Sequence, residues 1–563
     1  MSGFLLRPLR RFAASDRGAI LPFTMSVLIL LVMVGALAVN SVRFENERAS
    51  MQATLDICVL NAAALKQTLD ERTVFFDCVE KNGIPSEAVS NFTVQEGYSS
   101  KSVTAQAEVV MPKFFLHRSD PKQKTWSVGG ASAAQERVGN VEVSLVLDVS
   151  GSMLGTRITS LRTAAKEFVT TLLTDDVDNR VSITLVPYNG QVNLGPDLMA
   201  KFNVTDIPTN PSNDPDVRQS RCVDLPASVY SSGTAMSRTL AMPATAYSDT
   251  FSTTNQTTGF VAWNDPNAAT LSTANVWCPN SAANQVRLPD FTAAGQQGSV
   301  DTPQERIQQL HNRIDALTAV GATSINAGMR WGLAFLDPAA RSIFDEFAAA
   351  GRMPNAFRDR PLSFNDPDVM KVVVLMSDGE HFAEERVTAG FRSGMSPIWR
   401  GTDGNYSIFH ANAPTTNRFW VPHLGTWRAT AWVNSSNSGT ATQQTWPQVL
   451  QTFRATYVAW QFYARALGTT SSTRTTQYNN ALNAIRTQTP TGTMDSQLQS
   501  VCNRARDLNV VTFTIAFEAP TNGQTQLRAC ASTPARYYVA STTTIRQVFA
   551  SIAGNISKLR LTQ

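Results

Sequence analysis

One segment near the N-terminus limits what this chain can fold into more than any other. Residues 19–39 contain no ionisable side chain, and their number matches the ~20 residues that a helix needs to cross a bilayer core. Four arginines precede the segment against one acid, Asp16, and this positive charge favours a cytoplasmic N-terminus. We therefore predict a basic cytoplasmic tail over 1–18, a transmembrane helix over 19–39, and export of everything that follows.

A cleavable secretory signal is the alternative, because Ala36, Leu37 and Ala38 form the small-x-small pattern that a signal peptidase reads. The apolar run is longer than the ~7 to 15 residues of such a signal, and apolar residues recur at helical spacing directly beyond it. We expect the anchor to be retained and its helix to continue past the membrane. Alternating stretches between residues 90 and 136 predict strands that pack on this helix.

Charge and cysteine content narrow the class of protein. Lys and Arg number 48 against 44 Asp and Glu over 563 residues, so there is no large cationic field to bind nucleic acid. The six cysteines form three couples of sequence neighbours, Cys58 with Cys78, Cys222 with Cys278, and Cys502 with Cys530. In an exported protein each couple could form a disulfide, and buried free thiols are the alternative.

The strongest functional signal lies in three polar motifs next to apolar stretches. Asp148, Ser150 and Ser152 follow the apolar stretch VEVSLVL, Thr323 precedes an apolar helix, and Asp378 ends the stretch VMKVVVLMS. In an open α/β sheet, ligands gather at the carboxyl ends of the strands, where short oxygen side chains can converge on one hard cation. An ordinary helix cap is the alternative for any one motif, but all three together favour a metal site.

This pattern, DxSxS with a separate Thr and a separate Asp, is similar to the metal-ion-dependent adhesion site of von Willebrand factor A domains at all five positions. The resemblance implies that Ser150, Ser152 and Thr323 bind the ion directly, whereas Asp148 and Asp378 act mostly through water. It implies Mg²⁺, with Mn²⁺ or Ca²⁺ as alternatives, and one open position for an acidic residue of a partner protein. Neutral hydroxyl ligands would leave the ion attractive to that carboxylate.

Strands and helices alternate around these motifs. The alternation predicts an α/β fold with a doubly wound, mostly parallel sheet, over 139–563, with insertions at about 195–302 and 381–495. The second insertion contains Trp420, Trp427, Trp432 and Trp446, followed by a helix-like stretch from residue 446. We expect the tryptophans to form the core of this insertion, with an exposed binding stripe as the alternative.

The N-terminal region carries a second resemblance. The basic tail, Arg17-Gly18-Ala19, the apolar helix and ERASMQATLDICVLNAAAL resemble the start of TadE/TadG-like proteins of bacterial tight-adherence (Flp) pilus assembly. This implies a pilin-like helix and small α+β region over 40–138, in a single-pass inner-membrane protein with its bulk in the periplasm. The partner would be another pilus-assembly or envelope component. A metal-dependent surface adhesin is the alternative function.

Catalytic motifs do not accompany the predicted site. The sequence contains no GxSxG elbow, no HExxH helix and no Gly-rich phosphate loop. The one local cluster, His381 with Glu380, Glu384 and Glu385, is interpreted as a solvated helix start with Glu in its first turn. We therefore predict a binding protein and not an enzyme, and regard a hydrolase as the weakest alternative.

Overall fold

The computed structural model describes residues 20–64, 69–96, 100–113, 125–137, 139–206, 220–231, 235–250, 277–289 and 302–562. These residues fall into two compact units that divide between Gly139 and Asn140. The predicted cytoplasmic tail over 1–18 and part of the first predicted insertion lie outside the described residues.

The N-terminal unit is built on one long helix, α1, which spans Ile20–Ala63. Over the described residues it is the one helix long and apolar enough to cross a membrane. Its 44 residues correspond to a length of about 66 Å, roughly twice the thickness of a bilayer core. The helix therefore continues well beyond the apolar segment.

The second half of α1 packs on helix α2, Glu71–Lys81, and on a three-stranded antiparallel sheet. Its strands are β1 Val89–Glu96, β2 Ser100–Pro112 and β3 Thr125–Arg137. Leu55 and Val59 of α1 are fully buried in this core. Their spacing of four residues places both on one face of the helix, which explains why that face meets the sheet.

The second unit contains the remaining elements. Its strands, in chain order, are β4 Asn140–Asp148, β5 Val181–Tyr188, β6 Val204–Thr205, β7 Met242–Pro243, β8 Val369–Ser377, β9 Glu384–Val387, β10 Met395–Arg400, β11 Tyr406–Phe409, β12 Phe419–Val421, β13 Thr426–Arg428, β14 Thr442–Thr445, β15 Arg486–Thr489, β16 Val511–Phe517 and β17 Tyr537–Ala540. Its helices are α3 Thr156–Leu173, α4 Gly195–Met199, α5 Pro303–Ala316, α6 Ile325–Ala334, α7 Arg341–Ala349, α8 Trp446–Thr452, α9 Ala455–Val458, α10 Arg465–Leu467, α11 Ser471–Ile485, α12 Thr491–Asp507, α13 Thr521–Cys530 and α14 Ile545–Thr562.

Five of these strands form a parallel sheet in the order β17-β16-β8-β4-β5. Every residue of β4 and β5 is buried, as expected for a sheet covered on both faces. One face packs against α3, α5 and α14, and the other against α6, α7 and α12. The prediction of an α/β fold with a parallel sheet is confirmed.

The segment between β9 and β15 forms a smaller layer. Strands β10 to β14 pair in the antiparallel order β13-β12-β11-β10-β14, and residues of α8, α9 and α11 pack against this sheet. Trp420, Trp432 and Trp446 are buried, and Trp427 packs at the edge of the same core. The tryptophans therefore belong to the interior of the insertion and do not form an exposed stripe.

The structure corrects two local predictions in this segment. Glu384 and Glu385 do not start a solvated helix; they are buried on β9, where Arg386 pairs with Glu384 at 2.7 Å and Arg486 pairs with Glu385. The predicted helix-like stretch from residue 446 is interrupted after Thr452, because Phe453 has an extended backbone. Both outcomes coincide with contacts from distant parts of the chain.

All six cysteines form disulfides, and each bridge joins one of the three couples of sequence neighbours. One bridge joins α1 to α2 in the first unit. In the second unit, Cys222–Cys278 closes a loop within the first insertion, and Cys502–Cys530 joins α12 to α13. The alternative of buried free thiols is therefore excluded.

Candidate metal centre

The predicted site begins where β4 ends. The Oδ1 atom of Asp148 accepts the backbone N–H of Ser150 at 2.8 Å, which turns the chain as it leaves the strand. Gly151 then approaches the second loop, because its N–H donates to the carbonyl of Gly321 at 2.9 Å. A Cβ atom at Gly151 would lie 3.2 Å from that oxygen, so a glycine allows the two loops to come this close.

A chain of hydrogen bonds connects the first loop to the third. The hydroxyls of Ser150 and Ser152 lie 2.9 Å apart, and the Ser152 hydroxyl donates to Oδ1 of Asp378 at 2.7 Å. Asp378 directly follows β8, which is the neighbour of β4 in the sheet. The structure therefore brings these predicted residues together at the carboxyl edge of the parallel sheet.

The second loop places Thr323 beside the same group. Thr323 is 6% exposed, and its carbonyl accepts the N–H of Phe382 at 2.9 Å. A Cβ atom added to Gly379 would lie 3.5 Å from the Thr323 hydroxyl oxygen. The hydroxyl is thus adjacent to the residue that follows Asp378, so all five predicted residues lie at one edge of the sheet.

Two residues that were not predicted hold Asp148 in place. The Ser377 hydroxyl donates to Oδ2 of Asp148 at 2.6 Å. The Tyr188 hydroxyl lies 3.4 Å from the same oxygen and donates to the Met376 carbonyl at 3.1 Å. Both side chains come from strand ends at this edge, which is the one sequence signal that would have indicated them.

The site contains two carboxylates in a buried environment. Burial, followed by the charge of Asp378, raises the pKa of Asp148 to about 7, although hydrogen bonds from Ser150 and Ser377 favour its ionised form. Burial also raises the pKa of Asp378, against the opposing effects of Ser152 and Arg157. A bound divalent cation would favour the ionised form of both groups.

The donor atoms fit a hard divalent cation. Two carboxylates and three hydroxyls offer only oxygen, which suits Mg²⁺, Mn²⁺ and Ca²⁺ better than softer metals. Throughout the part of the chain that the structure describes, no group of three or more His, Cys, Asp or Glu side chains could hold a metal. The candidate site therefore depends on its serine and threonine hydroxyls.

Arg157, in the first turn of α3, is a third residue that the sequence prediction missed. Its guanidinium Nη1 lies 3.0 Å from Oδ2 of Asp378, and its Nε lies 3.0 Å from Oε2 of Glu518. The only sequence signal is a basic residue five positions after Ser152. Arg157 places a positive charge directly on one of the predicted metal-site carboxylates.

His381, three residues after Asp378, contacts two helices beside the site. Its Nε2 accepts the N–H of Asn326 at 3.1 Å, near the start of α6, and its Nδ1 contacts Asp495 of α12 at 2.7 Å. Both ring nitrogens are therefore engaged in connecting α6 to α12.

No protein-family model matches the chain, and no curated protein matches it. Solved pilus proteins are distantly similar to it. The vWF domain of the type V pili tip protein Mfa5 from Porphyromonas gingivalis is 13% identical, with a TM-score of 0.30 over 75% of this chain and 96% of that chain.

Two further pilus adhesins are similar at the same low level. RrgA from Streptococcus pneumoniae is 10% identical, with a TM-score of 0.29 over 84% of this chain and 50% of that chain. SpaC from Lactobacillus rhamnosus GG is 10% identical, with a TM-score of 0.28 over 83% of this chain and 33% of that chain. These identities and TM-scores are too low to establish a function.

Proposed function

We propose that this chain is a membrane-anchored binding protein with a von Willebrand factor A domain, whose doubly wound sheet carries a metal-ion-dependent adhesion site. Asp148, Ser150, Ser152, Thr323 and Asp378 would hold a divalent cation, with Mg²⁺ the first candidate. The main support is the hydrogen-bonded chain from Asp148 to Asp378, with the Thr323 hydroxyl beside it. Residues from three loops converge there, which an isolated helix cap does not require.

The proposed activity is capture of an acidic side chain of a partner protein. When bound, the cation supplies the positive charge that attracts the partner's carboxylate. The hydroxyls of Ser150 and Ser152 are neutral, so they do not cancel the positive charge of the cation. The hydroxyls of Ser377 and Tyr188 contact the Asp148 carboxylate and hold it in place. The mechanism is binding, with no bond made or broken.

The biological role we propose is in tight-adherence pilus assembly at the bacterial inner membrane, with the second unit in the periplasm, as the TadG-like resemblance implies. The continuous helix α1 supports a retained anchor, because it runs without a break from the apolar segment into the disulfide-bonded core of the first unit. A metal-dependent surface adhesin, released from the anchor, is the second candidate function.

Calorimetric titration tests the metal site. Mg²⁺ or Mn²⁺ is titrated into the full-length protein in detergent after treatment with EDTA, beside the Asp148→Asn and Ser150→Ala variants. We expect saturable binding in the wild type and none in either variant. Asp315→Asn is the matched control, because Asp315 is an exposed acid of the same unit that pairs with Lys166. Equal binding by the wild type and Asp148→Asn would contradict the proposal.

Cell fractionation distinguishes assembly from adhesion. Full-length protein in the inner-membrane fraction, resistant to extraction with alkali, is expected for an assembly component. A shorter form on the cell surface or in the medium is expected for a released adhesin. The Asp148→Asn variant should fractionate like the wild type, because the site does not contribute to the anchor.

A further inference from the structure

Arg157 bridges two acids at the edge of the proposed metal site. Its Nη1 lies 3.0 Å from Oδ2 of Asp378 and 3.3 Å from the carbonyl of Ser152, and its Nε lies 3.0 Å from Glu518. The Asp378 side chain is fully buried, whereas the side chains of Arg157 and Glu518 are each 32% exposed. The arginine thus links a buried acid of the site to an acid at the surface.

Glu518 is itself held in a fixed position. It directly follows β16, the neighbour of β8 in the sheet, and its N–H donates to the carbonyl of Ala540 at 2.9 Å. Its Oε1 accepts the N–H of Thr542 at 2.9 Å. Since backbone groups contact both the main chain and the carboxylate of Glu518, this residue presents Arg157 with a second acid in a fixed position.

The two oxygens of Asp378 have different neighbours. Oδ1 accepts the Ser152 hydroxyl, within the proposed metal site, and Oδ2 receives the Arg157 guanidinium. Arg157 therefore does not need to leave for a cation to bind near Ser152. Its charge nevertheless acts on the same carboxylate, and two positive charges at such short range repel each other appreciably even in a partly solvated site.

We propose that Arg157 is a resident counter-ion that limits the affinity of the site for divalent cations, and that Glu518 weakens this effect by sharing the guanidinium. This inference depends on the proposed metal site. In the absence of the cation, Arg157 partly balances the charge of Asp378. With the cation bound, Arg157 adds positive charge beside it, which favours an acidic partner.

Four variants of the full-length protein test this in detergent at pH 8, with the dissociation constant for Mg²⁺ measured by calorimetry. Arg157→Gln should bind Mg²⁺ about tenfold more tightly, because a positive charge near the ion is lost. Glu518→Gln should bind Mg²⁺ several-fold more weakly. A negative charge is lost, and Arg157 then forms an ion pair with Asp378 only. Arg157→Lys keeps the charge and should stay within about threefold of the wild type.

Arg546→Gln is the matched control. Like Arg157, Arg546 pairs with an acid; this acid is Glu167 of α3, and the Arg546 side chain is exposed. Glu167 lies ten residues beyond Arg157, or about 15 Å along the helix. This variant loses the same charge and should bind Mg²⁺ like the wild type. Thermal unfolding in EDTA confirms that each variant is folded.

The outcomes separate this inference from the proposed function. Tighter binding by Arg157→Gln together with weaker binding by Glu518→Gln supports it. If the wild type binds Mg²⁺ and Arg157→Gln binds equally or more weakly, the counter-ion role is wrong while the metal site stands. If neither the wild type nor any variant binds Mg²⁺ or Mn²⁺, the metal site fails and this inference fails with it.

Discussion

Asp148 makes the clearest electrostatic prediction at the scale of a single residue. Its pKa is raised from 3.8 to about 7 in the folded protein, so the folded state binds a proton that the unfolded state releases. In EDTA, Asp148 should therefore raise the free energy of unfolding below pH 4 by at most about 4 kcal/mol. This contribution should be lost as the pH rises to 7. Urea unfolding of the wild type and Asp148→Asn over this range measures it, since the asparagine cannot titrate.

Saturating Mg²⁺ should remove most of this pH dependence in the wild type between pH 4 and 7, because a bound cation stabilises the ionised carboxylate. The difference between the two proteins isolates Asp148 from the other acids. Parallel stability curves for the wild type and Asp148→Asn in EDTA would show that burial does not perturb this group.

Gly332 shows how closely α6 packs on the sheet that carries the site. A Cβ atom at this position would lie 2.5 Å from Cγ2 of Val146 on β4, and a β-branched side chain in a buried strand has little freedom to move. We expect Gly332→Ala to lower the free energy of unfolding by about 1–3 kcal/mol. In contrast, Gly554→Ala on α14 has no atom within 4 Å and should stabilise its helix by about 0.5–1 kcal/mol. Urea unfolding compares the two, and equal effects would refute the packing argument.

At the scale of secondary-structure elements, a buried ion pair fixes α5 to the turn before β5. Arg306 and Asp176 are 1% and 0% exposed and lie 2.8 Å apart, and Asp176 also accepts the N–H groups of Arg180 and Val181 at 2.9 Å. Asp176→Ala should cost about 3–5 kcal/mol, because it leaves the guanidinium buried without its carboxylate.

Asp178 is the control for this pair, because its carboxylate is 62% exposed and contacts Arg180 at 3.2 Å. Asp178→Ala should change the free energy of unfolding by less than about 1 kcal/mol. Chemical denaturation of both variants in EDTA measures the difference. A loss below about 1 kcal/mol in Asp176→Ala would mean that water replaces the carboxylate at little cost.

The sequence predicts those parts of the fold that depend on residues close together in the chain. The buried strands β4, β8 and β16 are rich in Val, Leu, Ile, Met and Phe, and α3 and α14 have the spacing of amphipathic helices. The disulfide couples are likewise sequence neighbours. The five predicted site residues follow or precede such elements, so their common position at one sheet edge follows from the topology.

The parts that local sequence does not predict depend on distant partners. Glu384 and Glu385 resemble a polar helix start until Arg486, about a hundred residues later, is brought beside β9. The break at Phe453 coincides with a tertiary contact, in which the N–H of Ala455 donates to the carbonyl of Asp249 at 2.9 Å. Arg157 resembles any helix-start basic residue until β8 and β16 place Asp378 and Glu518 around it.

At the scale of the whole molecule, the disulfides relate the fold to its compartment. Bridges of this kind persist in oxidising environments such as the bacterial periplasm and are rare in a reducing cytosol. Cys502–Cys530 closes a loop with a sequence separation of 28 residues, so its loss should cost about 3–4 kcal/mol by the loop-entropy relation. The second unit should therefore be markedly less stable when it is made in the cytosol.

Thiol labelling of protein taken directly from cells tests this relation. A polyethylene glycol maleimide added after denaturation in acid should leave the full-length protein unshifted, because all six cysteines are bridged. A variant without residues 1–39 should stay in the cytosol, with its six cysteines reduced and labelled. Six labelled cysteines in the full-length protein would contradict export. An unshifted full-length protein beside a labelled truncation would instead show that the apolar segment delivers the chain to the compartment in which its disulfides form.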